Sequence, residues 1–342
     1  MSLLAPKIDP SFFWPIAFFG LLHPVFMILN LLMMAVWIYK KKLSFVFNLA
    51  VLVLSLGSIS KIFTLGATAS PDRENKLRVI SYNAKIFGVY GEKTFYKDFI
   101  GSIGKKNADI LCIQEFYNLP MEGGNVLDEI KKNTGLKYFH FQNLITRGSK
   151  SRFGSIIFSR YKIMDYGELD FGKRSVNLCI YVDLLINDEI VRVYNVHLQS
   201  LKLARTDYDL LKRIGEDKDS TIKVSKSIFA RLKDAYIKRG EQSKLLKESI
   251  KTCGKRVILC GDFNDTPQSF AYRTLSKNMK DAFIESGNGF GGTYVGPLPS
   301  LRIDYILHDV SMESYSYKAS QMFFSDHKMV ESLIDLGGKD KE

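Results

Sequence analysis

The sequence predicts an α/β domain of layered β-sheets with outer helices, preceded by two transmembrane helices. Three observations carry that reading. Two long runs near the start hold no charged residue. Beyond residue 76, apolar runs of strand length outnumber helical patterns. The gaps between those runs mix hairpin lengths with helical ones.

The chain has 342 residues, of which 46% are hydrophobic and 25% charged, so disordered and collagen-like classes are excluded. Its mean hydropathy of -0.04 is high for so charged a chain, as expected when an apolar block precedes an ordinary domain. The first 67 residues hold five of the basic groups and one acid, Asp9. The remainder keeps a net charge of +8. A basic domain favours polyanionic partners: nucleic acid, phosphorylated small molecules or an anionic membrane surface.

The first uncharged run spans Ser11 to Tyr39 and the second Leu43 to Ser60, either side of Lys40, Lys41 and Lys42. A bilayer span needs about 20 mostly apolar residues, so residues 1–67 are expected to form a transmembrane helical hairpin. Pro15, Pro24, Asn30 and Asn48 interrupt the runs, which membrane helices tolerate when neighbours satisfy the backbone. A pair of buried core helices is the ordinary alternative. A secretory signal peptide fits poorly, because the first run is too long and Met1 to Pro10 holds one lysine. Residues 68–76, with Pro71, read as a linker, and 77–342 as the second domain. The three lysines lie in a very short loop, which argues for a cytoplasmic loop and a domain on the periplasmic or extracellular side.

Strand candidates then follow in order. Leu77 to Tyr82 ends at Asn83, and Asp109 to Gln114 ends at Glu115. Ser155 to Ser159, Val176 to Ile186 and Ile190 to Val196 come next, the last ending at His197. Val257 to Cys260 runs into Gly261, Asp262, Phe263 and Asn264, and Ile303 to Leu307 contains Asp304. Lys223 to Lys251 and Ser269 to Lys280 carry helical patterns. Cys112, Cys179 and Cys260 sit in strand runs and read as buried thiols. No Cys/His cluster suggests zinc.

Asn83, Glu115, His197, Asp262 and Asn264 each fall at the end of an apolar run, where a rigid core can aim them at one pocket. Each alone has a plain explanation: a turn cap, an Asx turn, a half-buried histidine. Together with Asp304, Asp326 and His327 they make a set suited to a hard cation beside a phosphate. Mg²⁺ takes oxygen ligands and keeps several waters, so one or two carboxylates suffice. A histidine with an aspartate partner is held in one tautomer with its charged form stabilised. No phosphate-binding GxxxxGK[ST] loop is present.

The ordered set SYNAKIF, DILCIQE, YNVHLQS, VILCGDFNDTP, RIDYIL and SDHKMV resembles the endonuclease/exonuclease/phosphatase superfamily, from Leu77 to about Leu336. The resemblance implies a four-layer sandwich of two mainly antiparallel sheets with outer helices, and makes 77–342 a catalytic domain. It implies Mg²⁺ or Mn²⁺ at Glu115, with Asn83 beside it and Asp326 completing the metal or hydrogen-bond network. Asp262 would align or activate water, and Asn264 would hold the phosphate. His327, oriented by Asp304, would contact the phosphate or act as acid/base. His197 in its NxHLQ context is more similar to the deoxyribonuclease, sphingomyelinase and inositol-phosphatase branches than to abasic-site endonucleases.

Between Lys202 and Lys251 there are 14 basic and 8 acidic residues, a basic rim for a polyanion or for anionic headgroups, or else a solvated helix face. Arg239 and Gln242 read as structural. The expected activity is a membrane-anchored phosphodiesterase acting on nucleic acid, with phospholipid or inositol phosphate as the alternative substrate. A non-catalytic polyanion-binding module is the second class, and no protein partner is inferable.

Overall fold

The structure is a computed structural model that describes residues 1–66, 76–88, 94–121, 124–143, 153–172, 177–201, 218–296, 300–321 and 325–337. The linker expected over 68–76 lies almost wholly outside these residues.

Among the described residues, twelve strands form two six-stranded sheets. The strands are β1 (Lys76–Asn83), β2 (Ile110–Tyr117), β3 (Tyr138–Asn143), β4 (Phe153–Ser159), β5 (Ile163–Leu169) and β6 (Cys179–Ile186). They continue with β7 (Glu189–His197), β8 (Arg256–Asp262), β9 (Met279–Asp281), β10 (Asp304–Asp309), β11 (Glu313–Gln321) and β12 (Lys328–Asp335). The first sheet runs β11-β12-β1-β2-β4-β3, the second β9-β10-β8-β7-β6-β5. Both are mixed: β1 pairs parallel with β2 and β7 parallel with β8, and every other junction is antiparallel.

The period of two along each strand builds the layers. In β1, Val79 faces the other sheet while Ile80 and Tyr82 face outward. In β8, Ile258 and Cys260 face inward while Val257 and Leu259 face outward. The inner faces of both sheets share one core. The outer face of the first sheet is covered by α5 (Tyr96–Gly104) and α6 (Val126–Thr134). The second sheet is covered by α7 (Lys218–Thr252) and α8 (Phe270–Ser276), with the short α9 (Ala282–Ser286) packed on β11. Helix α7 buries Leu232, Ala235, Tyr236, Arg239, Gln242 and Leu246, a stripe at helical spacing. Gln114 bridges the sheets by donating from Nε2 to Asn195 Oδ1 at 2.6 Å, both residues fully buried.

The helical pattern over Ser269 to Lys280 is cut short. Ser269 caps α8 through its Oγ, but Lys277 turns extended and Asn278 adopts φ +65°, so Met279–Asp281 becomes an edge strand instead.

The N-terminal block differs from two full spans. Among the described residues, no single helix is long and apolar enough to cross a membrane. Pro15 and Pro24 divide the first uncharged run into α1 (Pro10–Phe13), α2 (Pro15–Leu21) and α3 (His23–Tyr39), with a 63° bend between α2 and α3. Helices α3 and α4 (Phe45–Ile59), roughly 25 and 22 Å long at 1.5 Å per residue, pair as a hairpin. Their outward faces are apolar and exposed, including Ile28, Leu32, Phe47 and Leu54. Asn30 and Asn48 join them by amide hydrogen bonds, the shortest 2.7 Å.

The block is packed on the two-sheet domain at both ends. Asp9 accepts from Lys244 Nζ at 2.7 Å, and Ala17 packs against Leu232 and Tyr236 of α7. Gln268 Nε2 donates to the Ser2 carbonyl at 3.1 Å. After α4, Phe63 and Thr64 pair antiparallel with Phe290 and Gly289.

Candidate active site

Three side chains are set side by side by strand register at the ends of three interior strands of the second sheet. His197 pairs with Asp262 across the parallel β7/β8 junction, and Asp262 pairs with Asp304 across the antiparallel β8/β10 junction. Gly261 makes the close approach possible: its φ is +145°, and a Cβ there would lie 1.9 Å from the Val196 carbonyl oxygen. Past the strand, Asn264 takes a left-handed φ of +52° and donates its backbone N–H to Asp262 Oδ1 at 2.7 Å. Its amide also donates to the Leu198 carbonyl at 3.0 Å.

The first sheet contributes Asn83 and Glu115 from the ends of its own parallel pair. A bulge between Ile113 and Phe116 puts Glu115 at φ +47° and re-aims its carboxylate at the site. Asn83 Nδ2 donates to Asp262 Oδ2 at 3.0 Å and reaches Glu115 Oε1 at 3.5 Å, while its Oδ1 accepts from the Lys85 N–H at 3.0 Å. His197 Nε2 lies 3.8 Å from Glu115 Oε1 and 3.7 Å from Asp262 Oδ2; it is buried without a hydrogen-bond partner.

His327 closes the cluster. Its Nδ1 lies 3.0 Å from Asp304 Oδ2, and its Nε2 lies 3.7 Å from Asp262 Oδ2 and 4.0 Å from Asp326 Oδ1. Ser325 Oγ accepts from the His327 N–H and donates to the Asn83 carbonyl, tying this loop to β1. Thr293 Oγ1 accepts from the Asp304 N–H at 3.1 Å. Burial opposes charge on His327, but Asp304, then Asp262 and Asp326, overcome it and push the imidazolium pKa up to about 10. Burial pushes the Asp262 carboxyl above its ordinary value, with His327 the main opposing influence. Asp326 sits at the rim, ion-paired to Lys85 Nζ at 2.6 Å.

All eight sequence candidates are therefore linked in one cluster: Asn83, Glu115, His197, Asp262, Asn264, Asp304, Asp326 and His327. Two donor sets suit a cation. Glu115 is a part-exposed carboxylate with His197 Nε2 at 3.8 Å, and its oxygens suit an oxygen-seeking divalent ion. Asp262, Asp304 and His327 also offer ligand atoms within 4.8 Å of one another. Chemically, the cluster unites a buried carboxylate able to take a proton, an imidazolium able to meet phosphate or a leaving group, and amides able to orient both.

Several positioning residues were not singled out from the sequence. Lys85 neutralises Asp326, Thr293 holds the Asp304 backbone, and Gln199 links the site to α7. Arg239 and Gln242 act structurally, as read from the sequence: Arg239 Nε donates to the Gln199 carbonyl and its Nη1 lies 3.4 Å from Asp265 Oδ2, while Gln242 accepts from the Gln199 N–H. Thr293 follows no strand run, and Lys85, two residues beyond the run that ends at Asn83, meets Asp326 only through the fold. Of the basic segment, residues 202–217 lie outside the described residues.

A model of the Endonuclease/Exonuclease/phosphatase family matches residues 89–327, and a Domain of unknown function (DUF8431) matches residues 1–62. No curated protein matches the sequence with significance. Among solved structures, an endonuclease/exonuclease/phosphatase from Bacteroides vulgatus aligns with TM-score 0.57 and 15% identity over 77% of this chain and 100% of that one. A family protein from Leptotrichia buccalis aligns with TM-score 0.53 and 16% identity, covering 75% and 99%. D. rerio TDP2 complexed with a single-strand DNA product aligns with TM-score 0.52 and 14% identity, covering 76% and 99%. At these identities the likeness shows the fold.

Proposed function

The chain belongs to the endonuclease/exonuclease/phosphatase family, and from that premise we propose a membrane-anchored, divalent-metal-dependent phosphoesterase that hydrolyses phosphodiester bonds. The observation that carries this reading is the joint placement of Asp262 and Asp304 on the two nitrogens of His327, with Asn83 and Asn264 holding Asp262.

In this reading Asp304 fixes the His327 ring so that Nε2 faces the reacting phosphate as a charged donor. Asp262, oriented by Asn83 and Asn264, takes the proton of the attacking water. The Asn264 amide and His197 Nε2 contact phosphate oxygens. Glu115, with Asn83 beside it, would hold Mg²⁺ or Mn²⁺. When bound, the ion offsets negative charge on the phosphoryl oxygens.

The basic surface supports a nuclease-like substrate, and the similar D. rerio protein holds a DNA product in its structure. A specific observation favours a second substrate, a membrane phospholipid: the basic helix α7 packs on the N-terminal helices through Lys244, Leu232 and Tyr236, close to the apolar hairpin. The exposed apolar faces of α3 and α4 support the anchor, and the short lysine loop supports a catalytic domain on the periplasmic or extracellular side.

The test is Mg²⁺-dependent cleavage of supercoiled plasmid and, in parallel, of mixed phospholipid vesicles by the full chain in detergent, with Asp262→Ala as control. Nicking abolished by EDTA and by the substitution supports the nuclease reading, and headgroup release under the same controls supports the lipid reading. Tight polyanion binding without turnover on either substrate makes the chain a binding module. Protease added to intact cells should cut the domain; a spared domain overturns its proposed side.

A further inference from the structure

Strand β7 carries a buried amide that no step of the proposed chemistry uses. By the period of two, its inner face presents Val191, Val193, Asn195 and His197 in turn. The two valines enter the shared core, and His197 reaches the site. Asn195, between them, is fully buried. An amide taken out of water costs free energy unless its hydrogen bonds are remade, a cost that a third valine would not carry.

The Asn195 side chain remakes them across the core, on the first sheet. Its Nδ2 donates to the Ile113 carbonyl at 3.1 Å and to the Ile156 carbonyl at 2.9 Å, and its Oδ1 accepts from Gln114 Nε2 at 2.6 Å. The orientation of the amide is fixed, because a flip would set its oxygen against two carbonyls. Gln114 Nε2 also donates to Ser81 Oγ at 3.1 Å, so both of its N–H groups are engaged.

These bonds converge on the bulge in β2. Ile113 and Ile156 are the last regular pair before it, and Phe116 and Gly154 the first after it. Gln114 and Glu115 therefore stand opposite Ser155 alone, the two-against-one count of a β-bulge. A bulge interrupts the ladder, and buried backbone groups at the break need partners. Asn195 supplies a donor to each strand at that break and holds the side chain of the first bulged residue. The second bulged residue is Glu115, whose φ of +47° persists only where the surroundings fix it. The strand that clamps the bulge is also the one that brings His197 Nε2 to 3.8 Å from the Glu115 carboxylate.

We infer that Asn195 is a positioning residue: its three bonds to the bulge hold the Glu115 carboxylate in the place where it would bind a divalent ion. The inference rests on the reading of Glu115 as a metal ligand and names what fixes that ligand.

The test is a double-mutant cycle of Asn195→Leu and Glu115→Gln, with Mn²⁺ titrated by calorimetry into the metal-free full chain in detergent. Asn195→Leu keeps the approximate volume and removes the three bonds. It should weaken Mn²⁺ binding about tenfold, the effect of losing a group that orients a ligand. In the Glu115→Gln background the same substitution should change affinity by less than about twofold, because no charged ligand remains to be aimed. An equal loss in both backgrounds marks a general structural contribution and overturns the inference, as does unchanged affinity in Asn195→Leu. Thermal melting verifies folding. If Asn195→Leu does not fold, Gln114→Met takes its place in the cycle: it frees Asn195 Oδ1 and should weaken binding less, with the same dependence on Glu115. Unchanged affinity in Gln114→Met then overturns the inference. Unchanged affinity in Glu115→Gln would instead overturn the reading of Glu115 as a ligand, a separate result.

Discussion

Asp304 stands directly across the β10/β8 junction from Asp262, and the two carboxylates address different nitrogens of His327: Asp304 lies 3.0 Å from Nδ1, Asp262 3.7 Å from Nε2. Like charges on neighbouring strands repel, and the imidazolium between them offsets that repulsion. The longer gap is the one open to chemistry. His327→Ala should lower turnover by about 10²–10⁴, the usual worth of a positioned acid or base. Asp304→Asn should lower kcat with little change in KM, because it acts through the ring. Steady-state kinetics on either substrate decides, and near-normal turnover in His327→Ala removes the residue from the mechanism.

The same arrangement sets a pH profile. The folded pKa of His327, about 10, lies above its unfolded value of 6.5. Its contribution to stability is therefore fully present below about 6.5 and is lost as pH rises through about 10. Activity that needs the charged ring should fall on that same alkaline limb. Asp304→Asn, by removing the nearest carboxylate, should move the limb toward neutrality. A limb that stays in place would show that another group titrates there.

Legibility in the sequence followed burial. Strands β2 and β8 are apolar on both faces because both are covered, so each reads as a continuous run with a polar terminus; β7 is covered likewise, its run interrupted by buried Arg192 and Asn195. Edge strand β3 is part-exposed throughout, and β11 alternates without a continuous apolar face, so neither stands out. Strand β12 is hidden for another reason: its central Glu331 is buried, with Lys106 Nζ 3.0 Å away and Arg78 nearby. The site residues were readable because they sit at strand ends. What aims them was not: the bulge at Glu115, Thr293 under Asp304 and Lys85 on Asp326 depend on contacts between distant segments. The hairpin was visible as uncharged runs, but its bend depends on Pro15 and Pro24 and on docking against α7 and Gln268.

Glu115 carries the metal prediction. Its bulge aims one carboxylate at a place where hydrogen bonds from Asn83 and the edge of His197 leave oxygen capacity to spare. Glu115→Gln keeps the shape and removes the charge. Mn²⁺ affinity by calorimetry should fall by about 10–100-fold, with the melting temperature of the metal-free protein nearly unchanged. Unaltered affinity would move the ion to Asp262, Asp304 and His327.

Gly261 tests how tightly the second sheet holds the site. A methyl group there would enter the Val196 carbonyl, and the +145° φ is foreign to an L side chain. Gly261→Ala should therefore cost about 3 kcal/mol or more and separate the ends of β7 and β8. Because His197 and Asp262 are register partners one residue on, turnover should collapse even below the melting transition. Full activity in a variant destabilised this far would uncouple the junction from the chemistry.

Gly20 of α2 and Gly57 of α4 sit in opposite surroundings. A Cβ at Gly20 would lie 2.5 Å from the Gln268 carbonyl oxygen and 2.9 Å from the Ala5 Cβ, so Gly20→Val must push α2 off the loop that follows Asp265. At Gly57, on the outward face of α4, nothing lies within 4 Å. Overpacking costs about 1–3 kcal/mol, whereas a helix-interior Gly→Ala change is stabilising by up to about 1 kcal/mol. Gly20→Val should lower the melting temperature of the full chain in detergent and expose the joint after α2 to limited proteolysis. Gly57→Ala should do neither. Equal protease resistance in both variants would mean that the N-terminal helices are tethered to the two-sheet domain without being docked on it.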